Sequence, residues 1–204
     1  MGCATALRIG LTGGIGSGKS TVSRQLHEHG AAIVDTDLIA RALSGPGGAA
    51  IDPVRRAFGS EAIDAAGALD RARMRALAFA DAGIRQRLEA ILHPLIARET
   101  ERQAALATAP MVVFDVPLLV ESGRWTAQVD RVWVVDCTPA TQVARVCARS
   151  GWDEPTVGRV MAQQASRSAR RAAADAVIFN DGISLAELER QVAVLWQESI
   201  ALAR

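Results

Sequence analysis

The chain has 204 residues, 50% of them apolar, 22% charged and 4% aromatic. Such a composition suits one compact domain of ordinary size, or a core carrying inserted substructures, and excludes disordered, fibrous and repeat classes. Charge is balanced, 23 basic against 22 acidic residues with a net of +1, so nothing asks for nucleic acid as a partner, and no apolar run is long enough to cross a bilayer.

At the N-terminus Met1-Gly2-Cys3 hints at acylation, but Ala6 stands where that pattern wants Ser or Thr. Strand-like sequence and then glycines follow directly, which is not the pattern of a signal peptide. Cys3, Cys137 and Cys147 are odd in number and far from zinc spacing. They suit packed thiols in a reducing interior. The expectation is a cytoplasmic protein with no membrane partner; oligomeric state is left open.

Leu7–Leu11 reads as a short buried strand. Gly13-Gly14-Ile15-Gly16-Ser17-Gly18-Lys19-Ser20-Thr21 follows, meeting G-x-x-x-x-G-K-[ST] at every fixed position. A helix is expected from Ser20 to about His29, with Val22 and Leu26 on one face and Gly30 as its stop. Strand, glycine loop and helix form the context the motif requires. Glycines let several backbone N–H groups point into one concavity, and the helix N-terminus adds partial positive charge. Lys19 then reaches the β- and γ-phosphates and the Ser20 hydroxyl can ligate Mg²⁺. Of the 23 basic residues 22 are arginine, and Lys19 is the sole lysine. A broad planar guanidinium does not replace a slim ammonium inside a nest of amides.

Ala31–Val34 is a second apolar strand, ending in Asp35-Thr36-Asp37. Ligands of open α/β sheets sit beyond the carboxyl ends of the strands. If strand geometry persists, two carboxylates at i and i+2 point the same way. One would take the proton of an attacking hydroxyl, and the other would orient it or hold the magnesium shell. The alternative for both is a helix cap before Leu38-Ile39-Ala40-Arg41.

About 70 residues without strand pattern follow. Leu88, Ile91, Leu92, Leu95 and Ile96 mark an amphipathic helix interrupted at His93-Pro94. His93 either faces an acceptor or is a structural histidine. Met111–Phe114 then gives a third buried strand closed by Asp115, placed to touch magnesium directly or through water. Arg131–Val135 before Asp136 is a fourth strand, and Ala176–Phe179 before Asn180 a fifth. Leu185, Leu188, Val192, Leu195 and Trp196 recur at helical spacing on a last helix, Trp196 as core. Between the last two strands Arg145, Arg149, Arg159, Arg167, Arg170 and Arg171 accumulate. Arg145 and Arg149 share a helix face at i, i+4 before Gly151, as a lid closing over phosphate would need. Arg159, Arg170 and Arg171 read as solvated helix surface.

A GTPase would need a second lysine for Asn-Lys-x-Asp, and a switch Asp-x-x-Gly is missing where Asp115-Val116-Pro117-Leu118 stands. A transport ATPase would need Ser-Gly-Gly-Gln, which is also missing. What remains is a kinase of a small hydroxylated acceptor. A nucleoside or nucleoside-monophosphate kinase stays open, as does a non-catalytic ATP-binding regulator, although a sensor needs no Asp35–Asp37 pair.

Five blocks carry a more specific likeness: Leu11-Thr12-Gly13-Gly14-Ile15-Gly16-Ser17-Gly18-Lys19-Ser20, Val34-Asp35-Thr36-Asp37-Leu38-Ile39-Ala40-Arg41, His93-Pro94-Leu95-Ile96, Val116-Pro117-Leu118-Leu119-Val120-Glu121 and Ala174-Asp175-Ala176-Val177-Ile178-Phe179-Asn180-Asp181-Gly182. In order and spacing they resemble the dephospho-CoA kinase family along nearly the whole chain. The family often has an aromatic where Val120 stands. The resemblance implies ATP-dependent phosphorylation of the ribose 3′-hydroxyl of dephospho-CoA, the last step of coenzyme A synthesis. It implies an α/β fold: a three-layer P-loop kinase core with a five-stranded parallel sheet, a helical acceptor-binding insertion and a lid. On this chain the single kinase unit would comprise core residues 1–43, 110–147 and 173–204, the insertion at about 44–109 and the lid at about 148–172. Asp37 would be the general base. Lys19, with Thr12 and the amides of Gly14, Ile15, Gly16, Ser17, Gly18, Ser20 and Thr21, would hold the ATP phosphates. Asp35, His93, Leu118 and Glu121 would line the acceptor side. Arg145 and Arg149 would close over the nucleotide, Arg149 serving the transfer itself, and Asn180 would lie near the adenine. Ser20 and Asp115 would hold Mg²⁺.

Overall fold

The computed structural model describes residues 6–202, so Cys3 and the acylation-like start lie outside the described residues. Within them the chain divides into two compact units, 6–34 with 107–202, and 35–106.

The first unit is built on β1 (Leu7–Gly13), α1 (Lys19–Glu28) and β2 (Ala32–Asp35), the last of which runs into the second unit. After the second unit come β3 (Met111–Asp115), α6 (Leu119–Ser122), β4 (Arg131–Asp136), α7 (Pro139–Ser150), α8 (Glu154–Ala162), α9 (Arg167–Ala172), β5 (Ala176–Phe179) and α10 (Leu185–Leu202). All five strands expected from the apolar runs form, and they make one parallel sheet in the order β2-β3-β1-β4-β5. Leu11 pairs with Asp115 and Gly13 with Val135, so the glycine loop leaves the sheet beside the acid that closes β3.

Burial on both faces explains why the strands read as near-continuous apolar runs. Every residue of β3 is buried. One face packs Ile9, Leu11, Met111, Val113, Trp133, Val135 and Ile178 against Val22 and Leu26 of α1 and Leu188 and Val192 of α10. Each such side chain taken from water contributes about 1.5–3 kcal/mol. Trp196 packs on this cluster as core. The alternate residues face the other way, where Phe114 meets Trp125 at 5.7 Å between ring centroids and Arg8 lies over the Phe114 ring at 4.8 Å. At the sheet's outer edge the Gln191 side chain of α10 accepts from Phe179 N at 3.2 Å and donates to Phe179 O at 3.1 Å. Cys137 and Cys147 are free thiols, the first buried.

The second unit, 35–106, is helical: α2 (Thr36–Leu43), α3 (Ile51–Phe58), a 3₁₀ turn (Ser60–Ala62), α4 (Arg71–Ala80) and α5 (Ala82–Leu106). It starts at Asp35, so it includes α2, which lies ahead of the insertion start expected at about 44. Its core is Val54, Ala62, Leu69 and Met74, on which Leu88 and Ile91 of α5 pack. The expected interruption at His93-Pro94 does not occur, because α5 runs unbroken with Pro94 inside it. Pro94 removes one donor to Ala90. Both residues are exposed, so water can satisfy the freed carbonyl and the helix continues.

Candidate active site

The glycine loop is shaped by backbone that only glycine adopts readily. Gly18 has φ 93°, and a Cβ there would run into the Asn180 side chain. Asn180, buried at the end of β5, donates Nδ2 to Ser17 O at 2.8 Å. Arg145 of α7 reaches Gly16 O at 3.5 Å, Ser17 O at 3.4 Å and Asn180 Oδ1 at 3.4 Å. An amide nest turns its N–H groups inward and its carbonyls outward. Arg145 and Asn180 thus hold the carbonyls of Gly16 and Ser17.

Donors accumulate within the loop. The first-turn amides of α1, at Lys19 and Ser20, have no acceptor within the helix. Ser17 Oγ is buried without a hydrogen-bond partner among the described residues. Lys19 Nζ forms an ion pair with Asp115 Oδ1, the two side chains 19% and 7% exposed. Orphan amides, an orphan hydroxyl and an ammonium fit a polyphosphate. Thr12 is fully buried and gives its hydroxyl to Pro117 O at 3.2 Å, tying β1 to the turn after β3. Thr21 continues α1, its amide on Gly18 O at 3.0 Å.

Among the described residues no group of three or more His, Cys, Asp or Glu could hold a metal ion. Magnesium at a nucleotide needs no such cage, since it keeps waters and phosphate oxygens and takes one or two protein oxygens. The exposed hydroxyl of Ser20 and the carboxylate of Asp115 are donors of that kind.

Leu118 and Glu121 lie in the turn and short helix after β3. Leu118 is 49% exposed. The Glu121 carboxylate accepts from Ala165 N at 2.7 Å. Arg149 is exposed near the end of α7, just before Gly151, which caps the helix in the left-handed conformation. In the second unit the two acids separate by role. The chain becomes helical at Thr36, so strand geometry does not persist and Asp35 and Asp37 do not share a direction. Asp35 is the N-cap of α2, accepting from Leu38 N at 2.9 Å. Asp37 is exposed in the first turn. His93 is half-buried midway along α5, the helix on which α2 packs.

The expectation of solvated surface holds for Arg159 and Arg171, which are exposed, although Arg171 is also ion-paired, and fails for Arg170. Arg170 is buried and donates to Ala165 O. Arg171 bonds the buried Asp136 carboxylate at 2.8 Å, and Arg167 grips the same carboxylate through Nε and Nη2 at 2.9 and 2.8 Å. Burial alone would push the Asp136 carboxyl up, but the two guanidiniums hold it below the usual range. A strand-end acid paired with residues more than 30 positions away leaves no local signature.

Sequence reasoning also passed over Gln142 and Gln164. Gln142 Nε2 donates to Ile15 O at 2.7 Å, and Gln164 Oε1 accepts from Ile15 N at 2.9 Å. A second glycine at Gly14, outside the motif's fixed positions, is the one hint, because a Cβ there would strike Gln142 and the Arg170 guanidinium.

Asp181 ties β5 to α7, accepting from Thr138 N at 2.8 Å and from the Thr141 hydroxyl. The bonds from Thr141 and then Thr138 lower its carboxyl from 3.8 to about 2. A carboxyl depressed in the native state stabilises the fold above its ordinary value, and that share is lost as pH falls through about 2. Acid unfolding followed by circular dichroism should therefore lose less stability between about pH 4 and pH 2 in Asp181→Asn than in the wild type. Parallel curves would remove Asp181 from the acid response.

The family model described as dephospho-CoA kinase matches residues 7–186. The dephospho-CoA kinase of Burkholderia pseudomallei (strain K96243) is 56% identical over 195 residues, 96% of each chain. That of Bordetella pertussis (strain Tohama I) is 55% identical over 197 residues, covering 96% of this chain and 92% of that one. Among solved structures, TT1252 from Thermus thermophilus has a TM-score of 0.82 at 34% identity, covering 95% of this chain and 97% of that one. Dephospho-CoA kinase from Campylobacter jejuni, at TM-score 0.64 and 18% identity over 95% and 97% of the two chains, shares the fold. The chain belongs to the dephospho-CoA kinase family.

Proposed function

We propose that this protein transfers the γ-phosphoryl group of ATP to the ribose 3′-hydroxyl of dephospho-CoA, giving coenzyme A and ADP in the cytoplasm. Membership of the family supports the acceptor. The observation that carries the chemistry is the set of open donors at the end of the glycine loop, the Lys19 and Ser20 amides and the Ser17 hydroxyl, beside the Lys19–Asp115 ion pair.

The loop amides and Lys19 bind the β- and γ-phosphates. Ser20 and Asp115 would hold Mg²⁺, which would supply charge stabilisation at the phosphate oxygens. Asp37 takes the proton of the 3′-hydroxyl as that oxygen bonds to the γ-phosphorus and the bond to the ADP oxygen breaks. Asp35 holds the first turn of α2 and so positions Asp37. His93, Leu118 and Glu121 contact the acceptor. Arg145 steadies the loop through its carbonyls, Asn180 borders the adenine, and Arg149 neutralises charge on the transferring group.

Release of ADP, followed with dephospho-CoA, AMP, CMP and nucleosides in turn, tests the reading. Turnover is expected with dephospho-CoA. Turnover with AMP and none with dephospho-CoA would assign a nucleotide kinase instead. ATP binding without ADP formation on any acceptor would leave a regulator. In the described residues no helix is long and apolar enough to cross a membrane.

A further inference from the structure

The peptide groups on either side of Ile15 are gripped by two glutamine side chains from outside the loop. Gln142, on α7, donates to Ile15 O, and Gln164 accepts from Ile15 N. Neither contact consumes the amides of Lys19 and Ser20 that face phosphate. Gln142 is buried, so its bond replaces none that water could restore cheaply.

Gln164 lies in the elbow between α8 and α9, and that elbow is itself anchored on both sides. Glu121 accepts from Ala165 N at 2.7 Å. Arg170 donates to Ala165 O and presses its guanidinium against Gly14. One turn further on, Arg167 and Arg171 fasten α9 to the buried Asp136. Three separate contacts therefore fix the place from which Gln164 reaches Ile15. A surface glutamine bonded at random would have no such scaffold behind it.

We propose that Gln164 is a positioning residue, which through the Ile15 amide sets the tip of the phosphate loop for ATP and links the loop to the elbow between α8 and α9. This rests on the loop's reading as the ATP site and adds to it the element that holds the loop in register. Loss of the bond releases the Gly14–Ile15 peptide, while Gln142, Arg145 and Asn180 still hold the carbonyls of Ile15, Gly16 and Ser17. The tip of the loop at Gly14–Ile15 then samples orientations that face phosphate poorly, at a cost to nucleotide affinity.

The test measures ATP alone binding to the full chain by calorimetry, with the KM for dephospho-CoA and the melting temperature recorded beside it. Gln164→Ala should weaken ATP about fivefold to tenfold, the range of one lost hydrogen bond, and leave the acceptor KM and melting temperature at wild-type values. Gln164→Glu keeps an oxygen that accepts from the same amide. At about 0.5 M salt, where charges farther apart than roughly 4 Å are screened, it should recover most of the affinity. Wild-type ATP binding by Gln164→Ala overturns the proposal. So does Gln164→Glu binding as weakly as Gln164→Ala, and so does a loss shared by acceptor KM and melting temperature. Binding of ATP needs no acceptor, so absence of turnover with dephospho-CoA would strike the proposed reaction and leave this inference standing.

Discussion

Lys19→Arg is expected to be as inactive as Lys19→Ala, with kcat/KM for ATP falling about 1,000-fold in both, the scale of losing a donor aimed at developing charge. Both variants lose the same thing by different routes. Alanine removes the ammonium and with it the ion pair to the largely buried Asp115 carboxylate. With no positive charge at position 19 to offset that carboxylate against incoming phosphate, nucleotide affinity falls with turnover. Arginine restores the charge but not its shape. Its five donors occupy a flat fork, while the slim ammonium of Lys19 pairs with a single carboxylate oxygen of Asp115. Steady-state kinetics with a melting curve for each variant decide the matter. A folded, active arginine variant would show that charge alone suffices and that the single lysine among 22 arginines has another cause.

Asp37→Asn should lower kcat by about 100-fold or more, as loss of a general base does, while ATP affinity stays near the wild-type value. The structure supplies its own control. Asp35 caps α2, and asparagine caps as well as aspartate. Asp35→Asn should therefore cost at most a few-fold in kcat, and Asp35→Ala about 1 kcal/mol of stability. Stopped-flow single-turnover rates separate chemistry from product release. If Asp35→Asn proves the crippled variant and Asp37→Asn the mild one, the assignment of base and cap is reversed.

Much of the architecture was legible because its signals are local. Five apolar runs each became a strand, since strands buried on both faces need no alternation. The phosphate loop was legible for a stronger reason: its spacing is dictated by a ligand, and Gly18 can be nothing but glycine beside Asn180. The acid pair was harder. Asp35-Thr36-Asp37 looks the same on paper whether the strand continues or a helix begins, and the cap decided it. His93-Pro94 misled because the carbonyl that Pro94 orphans, at Ala90, is open to water, and α5 runs through the proline. Arg167, Arg170 and Arg171 were illegible as anchors, since their partners at Asp136 and Ala165 belong to tertiary structure. Gln142 left only the indirect hint of Gly14 and Gln164 gave no sign, because an amide that props a loop carries neither charge nor period.

The grip of Gln191 on both backbone groups of Phe179 bears on how the molecule behaves in a crowded solution. The last strand of an open sheet offers a row of unpaired peptide groups to any passing extended chain, which is the usual opening for fibril-like self-association. Here a side-chain carboxamide mimics the neighbouring strand and occupies that rung in advance. Removing it, by Gln191→Leu, would leave the active centre untouched and yet create a template for stacking one molecule on the next.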